Sequence, residues 1–382
     1  MDTLTTPSNW QRVRLGDICE IVKGQQINKI SLNNTDKYPV INGGIDFLGY
    51  TNKFNVSKNT IAISEGGTCG YVRFMTSDFW SGGHNYSLQK ISNKVNNLCL
   101  YHILKSYEKD IMKLGVGSGL KNIQLKALKD FEILLPPLNE QIAIANILSA
   151  LDHYLYNLDA LILKKEGVKK ALSFELLSQR KRLKGFNQAW QRVRLGDVAE
   201  IIGGGTPSTQ ITSFWNGSIN WFTPTEIGIT KYVYKSQRTI TPLGLKKSSA
   251  KLLPIGTILL TSRASIGDCA ILKMVATTNQ GFQSLIPLEK INNEFLYYLM
   301  LTLKNKLLKL ASGSTFLEVS PNKIKNLLIP LPPLNEQIAI ANILSALNNE
   351  IASLKNKKRQ FENIKKALNH DLMSAKIRVL EN

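Results

Sequence analysis

The chain has 382 residues, of which 43% are hydrophobic and 20% are charged. A single hydrophobic core usually stops growing at about 250–300 residues, so this length predicts two or more domains, and the composition excludes a disordered chain. The net charge of +20 favours a polyanionic partner such as nucleic acid, although a sequence rich in Lys, Asn and Ile also gains charge through compositional drift.

The first residues and the cysteines lead us to expect an intracellular protein. The opening residues, MDTLTTPSNW, are polar and include an acid, so neither a secretory nor a transit peptide is expected. No apolar run approaches the roughly 18 residues that cross a bilayer. We therefore expect a cytoplasmic protein without membrane contact. The four cysteines and four histidines are scattered, which favours packing thiols over a metal site.

An internal duplication is the strongest signal. WQRVRLGD occurs at Trp10–Asp17 and again at Trp190–Asp197, and LPPLNEQIAIANILSAL occurs at Leu135–Leu151 and at Leu331–Leu347. The copies are 180 residues apart at the first block and 196 at the second, so 16 residues were gained or lost between the tryptophan block and Gly117. Identity predicts a shared mechanical role, whereas divergence predicts two different targets.

The first divergent segment is predicted to be mixed α/β. Short β-rich runs at Thr60–Ser64 and Tyr71–Phe74 alternate with Gly- and Asn-rich turns, and a helical pattern covers Leu98–Leu114.

A long helix follows the Pro-Pro pair of LPPLNEQ. Asn139 is a suitable N-cap, and Glu140 lies at the positive end of the helix dipole. Apolar residues then recur with alternating spacings of four and three, which is typical of the a/d seam of a coiled coil. The predicted seam residues of this helix are Ile144, Leu148, Leu151, Leu155, Leu158 and Ile162.

The second divergent segment shows the same mixture. β-rich runs at Thr257–Ser262 and Cys269–Val275 precede a helical pattern at Asn293–Leu310. GGGTPS, at Gly203–Ser208, lacks the lysine and the strand–turn–helix context of a phosphate loop, so a turn is expected there. Aromatic and basic residues are interleaved on the predicted loops as candidate DNA contacts: Trp215, Trp221, Arg238, Lys246 and Lys247.

The second long helix repeats the first, with Asn335 and Glu336 at its start. Its predicted seam residues are Ile340, Leu344, Leu347, Ile351 and Leu354. An ordinary core helix would explain one such row of apolar residues equally well. Two matching rows favour packing of the two helices against each other. A helix of about 40 residues is about 60 Å long, and Gln179–Gln188 is too short to bring the chain back. Antiparallel packing would therefore give a pseudo-two-fold repeat.

The predicted fold class is thus two α/β (α+β) domains separated by two long helices that pack as an antiparallel coiled coil. The predicted boundaries place a recognition domain at 1–138, a long helix at 139–184, a second recognition domain at 185–334 and a second long helix at 335–382.

WQRVRLGD, the run at Gly313–Gln337 and the heptad tails resemble the specificity (S) subunit of type I restriction–modification systems, over essentially the whole chain. The resemblance implies that each divergent segment is a target recognition domain for one half of a bipartite, asymmetric DNA sequence. It also implies that the shared helices hold the domains apart and dock methyltransferase (M) subunits, two of them, with restriction/translocase (R) subunits joining the assembly.

The resemblance also suggests DNA-facing residues. Gly66–Phe74 and Ser262–Leu272 are similar to the recurring strand–loop–strand motif of the family, which makes Arg73 and Arg263 candidates, and Lys53 is a further one. The first copy departs from the pattern because Glu65 lies near the position of Arg263. Arg and Lys would bind phosphates and guanine, and Asn or Gln adenine.

No catalytic motif is visible. The chain lacks G-x-x-x-x-G-K-[ST], and it lacks the N-P-P-[YF] or D-P-P-[YF] motif by which amino-methyltransferases resemble one another. We therefore expect no catalytic residue and no cofactor here, with methyl donor, Mg²⁺ and ATP bound by partner subunits. Two alternatives remain: a solo modification enzyme, which would bind a methyl donor, and a coiled-coil scaffold, whose affinity would be indifferent to duplex and salt.

Overall fold

The computed structural model describes residues 9–313 and 317–379, so most of the MDTLTTPSNW segment and Ser314 lie outside the described residues. The chain divides into two compact units. Unit 1 comprises 9–160 and 356–379, and unit 2 comprises 161–313 and 317–355. Each unit therefore contains one divergent segment together with parts of both long helices.

Unit 1 is built from short strands and helices. Its strands are β1 (Gln11–Arg14), β2 (Glu20–Lys23), β3 (Tyr38–Ile41), β4 (Gly49–Thr51), β5 (Thr60–Ser64), β6 (Val72–Met75), β7 (Trp80–Ser81), β8 (Asn85–Gln89), β9 (Gly115–Val116), β10 (Asn122–Ile123) and β11 (Glu132–Leu135). Its helices are α1 (Leu15–Ile18), α2 (Asn97–Ser106), α3 (Glu108–Lys113), α4 (Leu125–Lys129) and the start of α5 (Leu138–Leu177), with a 3-10 turn at Lys29–Ser31. Strands β2 to β8 follow one another along the chain before the helices α2 and α3.

Two sheets form the layers of unit 1. The larger has the order β2-β8-β5-β6, the smaller has the order β4-β3-β7, and β1 pairs with β11 and β9 with β10. Side chains alternate along β5, as the period of two requires. Ile61 and Ile63 are buried in the main core with α2, whereas Ala62 packs with Ile41 and Phe79 beneath the smaller sheet. The four-stranded sheet is therefore the middle layer, which explains the continuous apolar run.

Unit 2 is built in the same way. Its strands are β12 (Gln191–Arg194), β13 (Ala199–Gly203), β14 (Trp215–Phe222), β15 (Tyr232–Val233), β16 (Arg238–Ile240), β17 (Ile258–Leu260), β18 (Cys269–Leu272), β19 (Ala276–Thr278), β20 (Gln283–Pro287) and β21 (Leu328–Leu331). Its helices are α6 (Pro242–Lys246), α7 (Asn293–Thr302), α8 (Lys304–Leu310), α9 (Pro321–Lys325) and the start of α10 (Leu334–Met373), with 3-10 turns at Leu195–Asp197, Thr212–Phe214 and Pro224–Glu226.

The sheets of unit 2 repeat those of unit 1. The larger sheet has the order β13-β20-β17-β18-β15 and the smaller has the order β16-β14-β19, while β12 pairs with β21. In both smaller sheets the central strand pairs antiparallel with one neighbour and parallel with the other. The predicted α/β class and internal repeat are therefore confirmed, even where the two sequences diverge.

Strand register locates the length difference between the copies. Gln11 and its counterpart Gln191 are 180 residues apart, whereas Ile63 and its counterpart Leu260 are 197 apart. The extra residues of unit 2 therefore lie between its first large-sheet strand, β13, and β17. Residues 223–237, between β14 and β16, belong to this stretch and carry β15.

The long helices α5 and α10 begin one residue before the predicted caps, so Asn139 and Asn335 lie in the first helical turn. Their first predicted seam residues belong to the α/β cores. Ile144 and Leu148 are buried in unit 1, and Ile340 and Leu344 in unit 2. Of the remaining seam residues, the buried ones are Leu158, Ile162 and Ile351, and the half-buried ones are Leu151, Leu155, Leu347 and Leu354. The helices of the described chain include no segment long and apolar enough to span a membrane.

In unit 1 the first part of α5 contacts the last part of α10. The rings of Tyr154 and Phe361 are 4.6 Å apart. Lys358 Nζ lies 2.7 Å from Asp159 Oδ1, and Lys365 forms an ion pair with Asp152.

The complementary parts of the two helices meet in unit 2. Lys165 Nζ lies 2.8 Å from Glu350 Oε1, and Lys355 Nζ lies 2.6 Å from Glu166 Oε1. Leu176 and Leu177, at the end of α5, are buried in the core of this unit.

A buried carboxylate fastens the first tryptophan block to the start of α5. Glu140 is 3% exposed, and its Oε2 accepts a hydrogen bond of 3.2 Å from Trp10 Nε1. Arg378 Nε donates to Glu140 Oε1 at 2.8 Å. We call this set of Glu, Trp and Arg the carboxylate latch. Glu140 was expected to serve the helix dipole, but its main partners are these two side chains.

The latch recurs in unit 2. Glu336 is fully buried and accepts from Trp190 Nε1 at 2.9 Å and from Arg182 Nη2 at 2.7 Å. In both copies WQRVRLGD supplies the tryptophan of the latch and LNEQ supplies the glutamate.

The latch predicts a large effect of Glu336→Leu. The substitution leaves the half-buried indole N–H of Trp190 and the guanidinium of Arg182 without their shared acceptor, so the free energy of unfolding should fall by about 2–4 kcal/mol. Urea unfolding followed by tryptophan fluorescence measures the change. The matched control is Glu132→Leu, which removes an exposed ion pair with Arg12 at 3.4 Å and should cost less than about 1 kcal/mol. If both variants lost the same free energy of unfolding, the buried latch would stabilise the fold no more than an exposed ion pair does.

Candidate nucleic-acid interface

The smaller sheet of each unit is the candidate interface. In unit 1 it consists of β3, β4 and β7, and in unit 2 of β14, β16 and β19. It covers one face of the larger sheet. Its strands differ in sequence between the copies, and β14 and β16 of unit 2 lie in the stretch that differs in length. Residues that distinguish two targets must differ between the copies, so this sheet is where they are expected.

Lys53 lies just after β4 and is exposed. Its neighbour Phe54 is 45% exposed and lies 5.0 Å from the ring of Tyr38, over which Lys37 Nζ is placed at 5.0 Å. Sequence reasoning selected Lys53 but missed the other three. The same interleaving of aromatic and basic residues, recognised only in the second copy, would have found them.

Arg73 lies on β6 but reaches the loop between β3 and β4. Its Nη2 donates to the carbonyl oxygens of Gly44 and Ile45. Its guanidinium carbon lies 5.1 Å from the ring centroid of Phe47 and 5.4 Å from that of Tyr71. Arg73 therefore holds the shape of this loop, and direct DNA contact by Arg73 stays a prediction.

Trp215 and Trp221 are buried, so the expectation that they lie on exposed loops is wrong. Their rings meet edge to face at 5.0 Å. Trp215 Nε1 donates to Ser208 O at 3.0 Å and Trp221 Nε1 to Gly205 O at 2.8 Å. Their rings fill a separate small core with Phe214, Ile240 and Ala250, where burial removes a large aromatic area from water. Arg238 is exposed and lies over Trp215, with 3.8 Å between its Cζ and the ring centroid.

The glycine-rich run was expected to be a turn; Gly203 instead ends β13, and residues 204–208 begin an irregular connection towards β14. A Cβ atom on Gly204 would lie 1.9 Å from Asn279 O, so only glycine permits this close approach of two backbone segments.

Lys246 and Lys247 lie at the end of α6, the helix that follows β16, and both are exposed. Thr241 caps this helix by accepting from Gly244 N at 3.0 Å. The helix packs against β14 and β16, so both lysines lie next to the smaller sheet of unit 2.

Arg263 lies in the loop between β17 and β18 and forms an ion pair of 2.8 Å with Glu318. The register of the flanking strands shows that the counterpart of Arg263 in unit 1 is Gly66. By the same register, Glu65 corresponds to Ser262. The two loops therefore share a shape but not a charge, and DNA contact by Arg263 stays a prediction.

Glu65 is the centre of a buried polar cluster in unit 1. Its Oε1 lies 2.7 Å from Lys23 Nζ and accepts from the hydroxyl of Tyr86 at 3.2 Å. Burial, reinforced by the neighbouring carboxylate, raises the pKa of Tyr86 to about 12, so the phenol stays a donor at neutral pH. This cluster is satisfied internally and supports the adjoining loop.

No group of three or more His, Cys, Asp or Glu side chains is arranged to hold a metal ion within residues 9–313 and 317–379. The four cysteines are unpaired thiols, and three of them, Cys19, Cys99 and Cys269, are buried. Burial raises the pKa of each of these three, which is the behaviour of packing thiols.

A family model described as "Type I restriction modification DNA specificity domain" matches residues 7–165 and 187–363. The two matches together cover most of the chain, and each covers one copy of the repeat.

Curated relatives agree with this match. The chain is 41% identical over 181 residues to the type I restriction enzyme MjaIX specificity subunit of Methanocaldococcus jannaschii, a match covering 46% of this chain and 41% of the relative. It is 40% identical to a putative type I specificity subunit of Mycoplasma pneumoniae, in a match that covers 42% of this chain and 43% of the relative. The chain thus spans less than half the length of these two relatives. The MjaVIII specificity subunit of M. jannaschii is 26% identical over 99% of this chain and 95% of its own length.

Solved structures share the fold. The S subunit of a type I restriction–modification system from M. genitalium superposes with a TM-score of 0.69 at 23% identity, covering 96% of this chain and 97% of that one. A second solved structure, which concerns complex assembly and conformational transition of the type I R-M system, has a TM-score of 0.55 at 16% identity. That match covers 96% of this chain and 98% of the other.

Proposed function

Since the chain belongs to the type I restriction modification DNA specificity family, we propose that it binds a bipartite, asymmetric duplex target, with each α/β unit reading one half-site. Its role is that of a non-catalytic specificity subunit, and the methylation and cleavage of DNA belong to other subunits.

One observation carries the proposal: two units share strand order and register, yet their smaller sheets differ in sequence and length. A scaffold protein has no need for such divergence on a common framework. Two readers of different base sequences require it, because base edges are distinguished by the side chains that face them.

The net charge of +20 supports a duplex partner. The exposed lysines beside the smaller sheets, Lys53 in unit 1 and Lys246 and Lys247 in unit 2, are suited to phosphate contacts. Such contacts release counterions, so affinity should fall steeply with salt concentration. An affinity indifferent to both duplex and salt would instead favour the coiled-coil scaffold.

We propose further that α5 and α10 pair as an antiparallel coiled coil that sets the distance between the half-sites. The ion pairs of unit 1 support this direction: Asp152 and Asp159 ascend along α5, while their partners Lys365 and Lys358 descend along α10. A 40-residue helix is about 60 Å long, which is the right scale for separating two reading units along a duplex.

The starts of the long helices are proposed docking sites for two M subunits, with R subunits joining the assembly. Leu138 and Ile142 of α5 are 41% and 44% exposed, and Leu334 and Ile338 of α10 are 45% and 41% exposed. The same apolar side chains are thus exposed to the same extent in both copies. A partner that binds one patch should bind the other. Methyl donor, Mg²⁺ and ATP would be bound by these partners.

Segment exchange tests the two-reader model. Replacing Gly24–Leu134 with the corresponding segment of another specificity subunit should change one half-site only, because unit 2 and the carboxylate latches are untouched. Methylated sites mapped in cells with the M partner give the result. The reciprocal exchange of 204–330 is the control and should change the other half-site. If either exchange altered both half-sites, the model would be wrong.

A change in helix length tests whether the paired helices set the distance between the half-sites. Deleting seven residues from each of α5 and α10, in register, shortens both by about 10 Å, which corresponds to about three base pairs. The preferred spacer should shorten accordingly. Deletion from α5 alone is the control, and it should abolish binding because the helices no longer match. An unchanged spacer after the paired deletion would contradict the proposal.

A further inference from the structure

Building on the proposed function, we propose that Arg238 reads a guanine in the half-site bound by unit 2. The proposal rests on how this side chain is held, on its partners among the described residues, and on what occupies the same position in unit 1.

The guanidinium of Arg238 is held by a rigid aromatic shelf. Its Cζ lies 3.8 Å from the ring centroid of Trp215 and 5.3 Å from that of Trp221. Both rings are buried, and both indole N–H groups are bound to backbone carbonyls. Arginine stacks well on aromatic faces because its guanidinium is planar and weakly hydrated. The side chain therefore loses little further freedom when it binds a ligand.

Stacking occupies the face of the guanidinium and leaves its N–H edge available. Across residues 9–313 and 317–379, no side chain or carbonyl accepts a hydrogen bond from this guanidinium, and no carboxylate lies within ion-pair distance. By contrast, Arg263 is paired with Glu318, and Arg73 donates to two backbone carbonyls. Of these three candidates, Arg238 is the one whose side-chain donors have no acceptor among the described residues, so they are available to an external one.

The position of Arg238 favours contact with a large external partner. It begins β16, which pairs with β14 and forms one edge of the smaller sheet. Lys246 and Lys247 follow on the next helix, so phosphate-binding groups lie close to it along the chain. A planar pair of donors with positive charge matches the O6 and N7 acceptors of guanine in the major groove.

The counterpart of Arg238 in unit 1 is Gly49. Arg238 pairs with Trp221 on the central strand β14, and Gly49 pairs with Val40 on the central strand β3. The parallel neighbours β19 and β7 fix this correspondence, because Trp221 pairs with Thr277 as Val40 pairs with Trp80. The reading position thus carries a stacked arginine in one unit and no side chain in the other. That difference is expected of a specificity determinant and not of a framework residue.

The test uses the complex of this chain with its M subunits and the target defined by methylation mapping. Competition binding compares the target duplex with duplexes changed at one base pair of the unit 2 half-site. The wild-type complex should require G·C at one position. Arg238→Lys keeps the charge but loses the bidentate fork, so discrimination at that pair should fall by about 10- to 100-fold while the other positions are unaffected.

Arg238→Ala should relax the same position, and Lys247→Ala is the matched control. The control removes one exposed charge from the same unit, so it should weaken all duplexes alike and reduce the salt dependence by about one counterion. The melting temperature of each variant confirms folding.

The proposal is overturned if Arg238→Lys retains full discrimination at every position, or if both Arg238 variants weaken all duplexes equally, as a phosphate contact would. A wild-type complex with no bipartite preference would instead contradict the proposed function itself.

Discussion

The rest of the structure depends on a carboxylate buried at the start of each long helix. Glu140 and Glu336 each bind an indole N–H and an arginine, so the tryptophan block of a unit is fixed to its helix. A buried charge is stable only when it is fully paired, which ties all three members together. The α/β layers, and with them the candidate interface, are positioned by this contact.

The repeat could be predicted because its blocks are identical in sequence, and the secondary structure because it follows from local residue patterns. Identical blocks revealed the duplication, and the β-rich run at Thr60–Ser64 predicted a strand, which β5 confirms. The long helices follow from their caps and periodicity, and α5 begins within one residue of the prediction. Seam positions Ile144 and Ile340 instead lie in the α/β cores, because a heptad pattern cannot say which neighbour covers its first turns.

The candidate site was less predictable, because the partners of a charged side chain are distant in sequence. Arg263 is joined to Glu318 and Arg73 to Gly44, and neither pairing leaves a spacing signal. Trp215 was expected on a loop because aromatic and basic residues are interleaved in this segment, yet it is buried under Arg238. Sequence divergence between the copies indicated the candidate region, whereas only strand register could show that Arg238 corresponds to Gly49.

The central claim is that two dissimilar units bind one duplex at a fixed separation. Mapping the methylated bases in DNA from cells that carry this chain and its M partner tests it most directly. The account predicts a target of two unequal half-sites divided by a spacer of constant length and arbitrary sequence. A continuous target, or two identical halves, would contradict it.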